Sequence, residues 1–351
     1  MNNCEFIGML RVVDGNGDKY TAVDRHGNIY DLETNEDVML FANDVIEKNI
    51  DKIRVLHRGD EEHVTLFLTN KCNSNCIMCP DSEGLRKREN DINIERVYEF
   101  IDVLPENIFT FDITGGEPTL LRQDLYFLIY RIFCRFPEAS LMLITNGRAF
   151  YDKNYALSFK KLTGRNFRVE IPLHSHRPEM HDYIAGMKGS FEQTYAGLRN
   201  LCAVEVKSVI RVVVSRLNVD YLKEISKFVH EEFPQITYIN FMGMEVMGNA
   251  YKNKDEVWVE YDDIKYRLQD TLKYCLSVGI NPQLYNFPLC MFEEKYWSFY
   301  RRSITPSKVK YLHECEMCTL KNSCGGFFNS TIVNTSFFSK PYAIGGENNA
   351  K

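Results

Sequence analysis

No run of 18 or more apolar residues occurs in the 351-residue chain, so no membrane-spanning helix and no membrane partner are expected. The first residues, Met1, Asn2, Asn3, Cys4 and Glu5, lack the basic and apolar regions of a secretory signal. Positive charge is not in excess either. Forty-two Lys and Arg stand against 48 Asp and Glu, a formal net charge of −6. Without a basic footprint, a nucleic-acid partner is not expected. What is present is apolar and thiol-rich. The hydrophobic share is 44%, with 23 Phe and 20 Tyr, enough for a large core, and the length suggests about two domains. Eleven Cys without a secretory signal argue for metal ligation in a reducing, cytoplasmic setting rather than for disulfides.

Three of these thiols, Cys72, Cys76 and Cys79, are spaced C-x3-C-x2-C just after the apolar run Val64, Thr65, Leu66, Phe67, Leu68. Three thiolates on one short loop can hold three irons of a four-iron cluster, whereas ordinary ferredoxin loops supply four. The fourth iron is then open, and an open coordination position is how a metal site becomes catalytic. A zinc site would want a fourth Cys or His close by, and none follows. A disulfide reading fails on the odd count.

Residues 1–60 carry short alternating pieces separated by the turn Asp14, Gly15, Asn16, Gly17, and read as a small β-rich unit. Cys4 within it reads as a structural thiol. From 61 to 260 strand-like and helical runs alternate. The expected strands are 63–69, 108–113, 140–144, 167–173, 207–214 and 235–241. Helices at 94–103, 124–135, 154–161, 190–202 and 221–232 separate them. Six β–α units imply an α/β fold with a parallel sheet, too short for a full eight-stranded barrel. A partial (β/α)6 TIM-like barrel is therefore predicted, with function at the carboxyl ends of its strands.

After the second strand come Thr114, Gly115, Gly116, Glu117 and Pro118, where two glycines allow close backbone approach and Glu117 offers a carboxylate suited to an ammonium group. Together with the preceding Cys loop, this segment resembles the radical S-adenosylmethionine (SAM) superfamily. The resemblance implies that Cys72, Cys76 and Cys79 ligate a SAM-binding [4Fe-4S] cluster and that Gly115, Gly116, Glu117 and Pro118 bind the SAM amino group. It also implies that the cofactor-contacting set includes Met78, that Thr145 and Asn146 lie beside the SAM methionine moiety or the substrate, and that His174 or Ser175 faces the ribose. Arg211 is a candidate for the SAM carboxylate. Asn218 sits at a loop where relatives often carry Asn, and Met244 lies in a Gly- and Met-rich turn suited to the adenine face. His176 reads as a capping residue and Ser190 as a helix N-cap.

Past residue 261 the alternation stops, and Cys290, Cys315, Cys318 and Cys324 form a complete four-thiol set with an inner C-x2-C-x5-C. Structural zinc and a second four-iron cluster are competing fillings. Cys275 is an alternative distant ligand. The tail resembles the SPASM and twitch auxiliary-cluster domains of peptide-modifying radical SAM enzymes, which makes 261–351 the auxiliary [4Fe-4S] segment. Glu245 to Ala250, Tyr285 to Cys290 and Cys324 to Phe328 resemble the C-type maturases of His-Xaa-Ser repeat peptide systems. The resemblance implies reductive cleavage of SAM to a 5′-deoxyadenosyl radical and modification of a ribosomal precursor peptide. An electron donor such as flavodoxin or ferredoxin is also implied. A radical SAM enzyme acting on a small molecule or protein partner is the alternative.

Overall fold

Alternation of apolar and polar side chains builds the first sheet. Strands β1 (Gly8–Asn16), β2 (Lys19–Val23), β3 (Ile29–Glu33), β4 (Val45–Lys48) and β5 (Ile53–His57) pair antiparallel in the order β3-β2-β1-β4-β5. Leu10, Val12, Tyr20, Ala22, Leu32 and Ile46 point to one side and close a core of their own. This computed structural model describes residues 8–34, 38–49, 52–89, 93–335, 341 and 343–345. Cys4 lies outside them.

An eight-stranded sheet follows, in the order β13-β12-β11-β10-β9-β8-β7-β6. Its strands are β6 (His63–Phe67), β7 (Thr110–Thr114), β8 (Ser140–Ile144), β9 (Phe167–Pro172), β10 (Ser208–Val213), β11 (Tyr238–Met242), β12 (Asn281–Tyr285) and β13 (Tyr300–Arg301). Strand β13 does not meet β6, so the sheet is an open, partial TIM-like barrel. All six expected strands are in it. Two more, β12 and β13, come from the segment beyond 261, where the sequence signals no strand. Asn281, Pro282 and Gln283 hide β12, because Pro is rare inside a sheet, and β13 is two residues long.

The chain divides into two compact units. The first comprises Met1–Asn70, Glu89–Ile144 and Leu162–Phe167. It contains the antiparallel sheet, β6 to β8 and two helices whose ranges are given next. Helix α1 (Glu83–Lys87) belongs to the second unit; α2 (Ile94–Val103) and α3 (Gln123–Arg135) belong to the first. In α3, Leu125, Leu128, Ile129, Ile132 and Phe133 are buried at helical spacing, which fixes the inward face. Helix α2 is tied to the antiparallel sheet by the Met9 N–H on Glu99 Oε1 at 2.9 Å and by an Arg96–Glu47 ion pair.

The second unit holds Lys71–Arg88, Thr145–Lys161 and Arg168–Lys351. Its parallel strands β9 to β13 carry α4 (Lys153–Ser158), α5 (Pro178–Ala185), α6 (Ser190–Ala203), α7 (Leu222–Glu232), α8 (Gly248–Lys252), α9 (Lys254–Val257) and α10 (Tyr261–Ser277). A short hairpin of β14 (Val309–Lys310) and β15 (Phe327–Phe328) leads to α11 (Asn329–Asn334). Helix α5 lies between the expected strand at 167–173 and the expected helix at 190–202. The N-cap expectation at Ser190 is corrected. Gly189 occupies the cap position in the left-handed conformation, and Ser190 is the first helical residue.

Candidate functional site

The loop that follows β6 carries Cys72, Cys76 and Cys79, all half-buried, and in the second unit it is held from several directions. The N–H groups of Asn75 and Ile77 donate to the carbonyls of Ala185 and Ile184 at the end of α5, both at 3.0 Å. Arg148 donates to the Asn73 carbonyl at 2.5 Å and to Ser74 Oγ at 3.0 Å. Asn146 Nδ2 reaches Asn73 Oδ1 at 2.7 Å. From α8, Asn249 Nδ2 donates to the Cys76 carbonyl at 3.0 Å and to Asn75 Oδ1 at 3.1 Å. Asn253 Nδ2 holds the Ile77 carbonyl at 2.9 Å. Gly248 lies so close beneath that a Cβ there would stand 2.1 Å from the Pro80 carbonyl oxygen, and its φ of +55° also favours glycine. A loop clamped by side-chain amides on its carbonyls keeps its shape, so its thiols are presented in a fixed arrangement.

Burial pushes the Cys76 thiol up to about 12, with the neighbouring Cys79 and Cys72 adding to the shift and Arg86 opposing it. Such a thiol holds its proton until a cation displaces it. Among the described residues, no three His, Cys, Asp or Glu side chains converge as a single metal ion requires. A multi-iron cluster keeps its thiolates further apart than one ion does. The backbone N–H of Ser74 on Cys72 Sγ, at 3.4 Å, is the kind of bond that stabilises a sulfur ligand.

His174 and Ser175 follow the end of β9 and are 4% and 1% exposed. His174 Nε2 stands 4.0 Å from Cys76 Sγ. Ser175 Oγ accepts the Arg177 N–H at 3.1 Å. Asn218 does not cap a helix with its side chain. Its Nδ2 donates to the His174 carbonyl at 3.1 Å and its Oδ1 accepts the Ser215 N–H at 2.9 Å. Thr145 Oγ1 accepts the Gly147 N–H at 3.1 Å, and Met78 and Met244 are buried. Arg211 on β10 pairs with Glu170 on β9 at 2.5 Å, and Asn240 on β11 donates to the same carboxylate at 2.5 Å. The register aligns Arg211 with Asn240 and Asn240 with Gln283. This polar row supplies the anion that an Arg inside a barrel requires, while Arg211 Nε is buried without a partner among the described residues.

In the first unit, Gly116 N–H donates to the Thr69 carbonyl at 2.5 Å, and a Cβ on Gly115, whose φ is +153°, would lie 2.6 Å from that oxygen. The two glycines therefore lie against the residue three positions before Cys72 in the chain. Glu117 is fully buried. Its Oε1 accepts the Thr119 N–H at 2.9 Å and hydroxyl at 2.5 Å, capping a 3-10 turn that Pro118 opens.

Cys290, Cys315, Cys318 and Cys324 line one pocket with Tyr311 and Phe327. Cys324 Sγ accepts the N–H groups of Leu289 and Gly326, both at 3.4 Å. Burial raises the Cys315 thiol, and nearby Cys324, Cys318 and Glu314 add to it. Cys275 lies buried on α10 and does not line this cavity. Four thiols around one void, with backbone N–H groups on a sulfur, form a donor set that fits a cluster.

Arg148, Asn249, Asn253, Glu170, Asn240 and Gln283 are absent from the sequence-based site. The carboxylate of Glu170 within the mostly apolar β9, beside the strand of Arg211, was one available signal, and Asn249 lies within the Glu245 to Ala250 stretch.

Residues 66–229 match the Radical SAM superfamily. A GTP 3',8-cyclase of Nautilia profundicola is 31% identical over 236 residues, 66% of this chain and 69% of that one. An AdoMet-dependent heme synthase of Oleidesulfovibrio alaskensis is 29% identical over 163 residues, 46% of this chain and 40% of that one. The crystal structure of Streptococcus suis SuiB bound to its precursor peptide SuiA has a TM-score of 0.52 at 14% identity, over 66% of this chain and 48% of SuiB. The chain thus spans about two thirds of the length of the GTP 3',8-cyclase and about half that of SuiB. With the Cys loop following the first strand of a parallel half-barrel and the Gly-Gly-Glu-Pro turn following the second, and with a 31% identical relative covered over 69% of its length, the chain belongs to the radical SAM superfamily.

Proposed function

We propose that this radical SAM enzyme modifies a side chain of a ribosomally made precursor peptide, by cross-linking or another side-chain modification. The observation that carries the reading is the C-terminal cavity lined by four thiols, the feature expected of auxiliary-cluster maturases. The peptide-bound state of SuiB and the resemblance to His-Xaa-Ser system maturases support it.

In this reading the chain works in three parts: 1–60, the barrel over 61–260, and 261–351. Cys72, Cys76 and Cys79 hold a [4Fe-4S] cluster that, with SAM bound, supplies reductive cleavage to a 5′-deoxyadenosyl radical able to take hydrogen from an unactivated carbon. Every other part of the task falls to the chain. Gly115, Gly116, Glu117 and Pro118 receive the SAM amino group. Thr145, Asn146, Ser175 and Asn218 orient its polar parts, while Met78 and Met244 exclude water from its apolar face. Arg211, with Nε unpartnered, offers a donor to the carboxylate. Cys290, Cys315, Cys318 and Cys324 hold an auxiliary [4Fe-4S] cluster. The electron donor is a flavodoxin or ferredoxin in a reducing, cytoplasmic compartment.

A small-molecule substrate is the second reading, favoured by the 31% identity to a GTP 3',8-cyclase. Anaerobic incubation with SAM and dithionite separates the two. A synthetic His-Xaa-Ser repeat peptide is expected to change mass and to raise 5′-deoxyadenosine formation. Stimulation by GTP with no change in the peptide would overturn the peptide reading.

A further inference from the structure

Resting on the assignment of Cys72, Cys76 and Cys79 to a [4Fe-4S] cluster, we propose that His174 is a positioning residue for that cluster. Its Nε2–H donates a hydrogen bond to the Cys76 sulfur and makes the cluster easier to reduce. Nε2 stands 4.0 Å from Cys76 Sγ, within reach of a bond to sulfur, and His174 is 4% exposed. The ring is held in place. The backbone N–H of His174 donates to His181 Nδ1 at 3.3 Å, its carbonyl accepts from Asn218, and its ring packs on that of His181 at 5.1 Å between centroids. His181 in turn packs edge-on against Phe191 at 5.6 Å.

The proton must then be placed. Among the described residues, Nδ1 is buried with no hydrogen-bond partner. A proton on Nδ1 would leave a buried donor unpaired, at about 1–3 kcal/mol, whereas an unpaired lone pair is better tolerated. The proton therefore belongs on Nε2, which faces Cys76. His181 offers no alternative acceptor through Nδ1, which already takes the His174 N–H. A donor on a ligand sulfur stabilises the reduced cluster, with its extra negative charge, more than the oxidised one, and so raises the potential. Nothing is transferred: the N–H bond stays intact while the cluster gains its electron from the external donor.

The test is an EPR-monitored redox titration of the anaerobically reconstituted full chain without SAM. His174→Leu, which keeps apolar volume and removes the donor, is expected to shift the midpoint to more negative potential at unchanged iron content. His174→Gln, which keeps an N–H group, is expected to stay near the parent value. A His174→Leu midpoint equal to the parent overturns the proposal. So does weakened SAM binding at unchanged potential, which would place His174 at the SAM ribose. If His174→Leu fails to hold its cluster, the unsubstituted protein decides. With isotope-labelled histidine, its reduced cluster is expected to show a histidine nitrogen coupling by pulsed EPR, and the absence of coupling overturns the bond. The underlying assignment fails separately, through a Cys76→Ala protein that retains its full iron complement.

Discussion

Asn249 shows how much of the site depends on single amides. Its Nδ2 bridges the Cys76 carbonyl and Asn75 Oδ1, so Asn249→Ala frees one side of the thiol loop. Losing these bonds costs about 1–2 kcal/mol and is expected to lower Tm by roughly 2–4 °C. The sharper outcome is faster iron loss to a chelator, measured as the iron-to-protein ratio over time. Unchanged chelator kinetics would show that the clamp does not hold the loop. A second residue-scale prediction separates two thiols. Cys290 lines the four-thiol cavity and Cys275 does not. Cys290→Ser is expected to reduce the iron bound after reconstitution by about half, as loss of one of two four-iron clusters requires, while Cys275→Ser leaves it unchanged. The thiols were legible in the sequence because their spacing is itself the signal. The clamp was not, because Asn249 and Arg148 act on backbone groups more than 70 residues away in the chain, which leave no trace in residue type.

At the scale of elements, α6 begins without a side-chain cap at its own N-cap position, and Asp182 at the end of α5 does that work. Its carboxylate accepts the Gly189 N–H at 2.5 Å, the Ser190 hydroxyl at 2.9 Å and the Phe191 N–H at 2.7 Å. These bonds hold its pKa below the ordinary value, against the upward pull of burial. Asp182→Ala is expected to cost about 2 kcal/mol, with Asp182→Asn recovering part of it, read as denaturant midpoints. The carboxylate's contribution is fully present above its unfolded pKa near 3.8 and is lost as pH falls through its lower folded pKa. An Asp182→Ala midpoint equal to the parent would show that Gly189 alone suffices. This cap also explains an error of reading. Ser190 has the residue type of an N-cap, but the chain reaches it through Gly189 at φ +78°, which moves the start of the helix back by one residue. The regular strands were legible because apolar residues alternate along them, as Val64 and Leu66 do in β6. Strand β12 was not, because Pro282 and Gln283 are buried by neighbours that the local pattern does not contain.

For the molecule as a whole, buried neutral histidine sets a direction for acid stability. His181 is 2% exposed, and burial lowers its pKa to about 4, with Arg148 acting the same way and Asp182 opposing. The unfolded chain binds that proton near pH 6.5, the folded chain only near 4. Stability is therefore fully present above about 6.5 and is lost as pH falls toward 4, by about 3 kcal/mol in total and about 1 kcal/mol by pH 5.5. His174 shifts in the same direction. His63, raised by its bond to Asp112, acts oppositely, its contribution fading as pH rises through the raised value. That pair is half exposed and screened, so the buried ring dominates. The Cys76 thiol, pushed up to about 12, stays protonated in the folded chain between pH 5.5 and 7.5 and adds nothing there. Urea midpoints of the iron-free, reduced chain are therefore expected to fall between pH 7.5 and 5.5. In His181→Phe, which keeps the ring contact with Phe191, the fall is expected to shrink. An equally steep fall in that variant would assign the acid sensitivity to other groups.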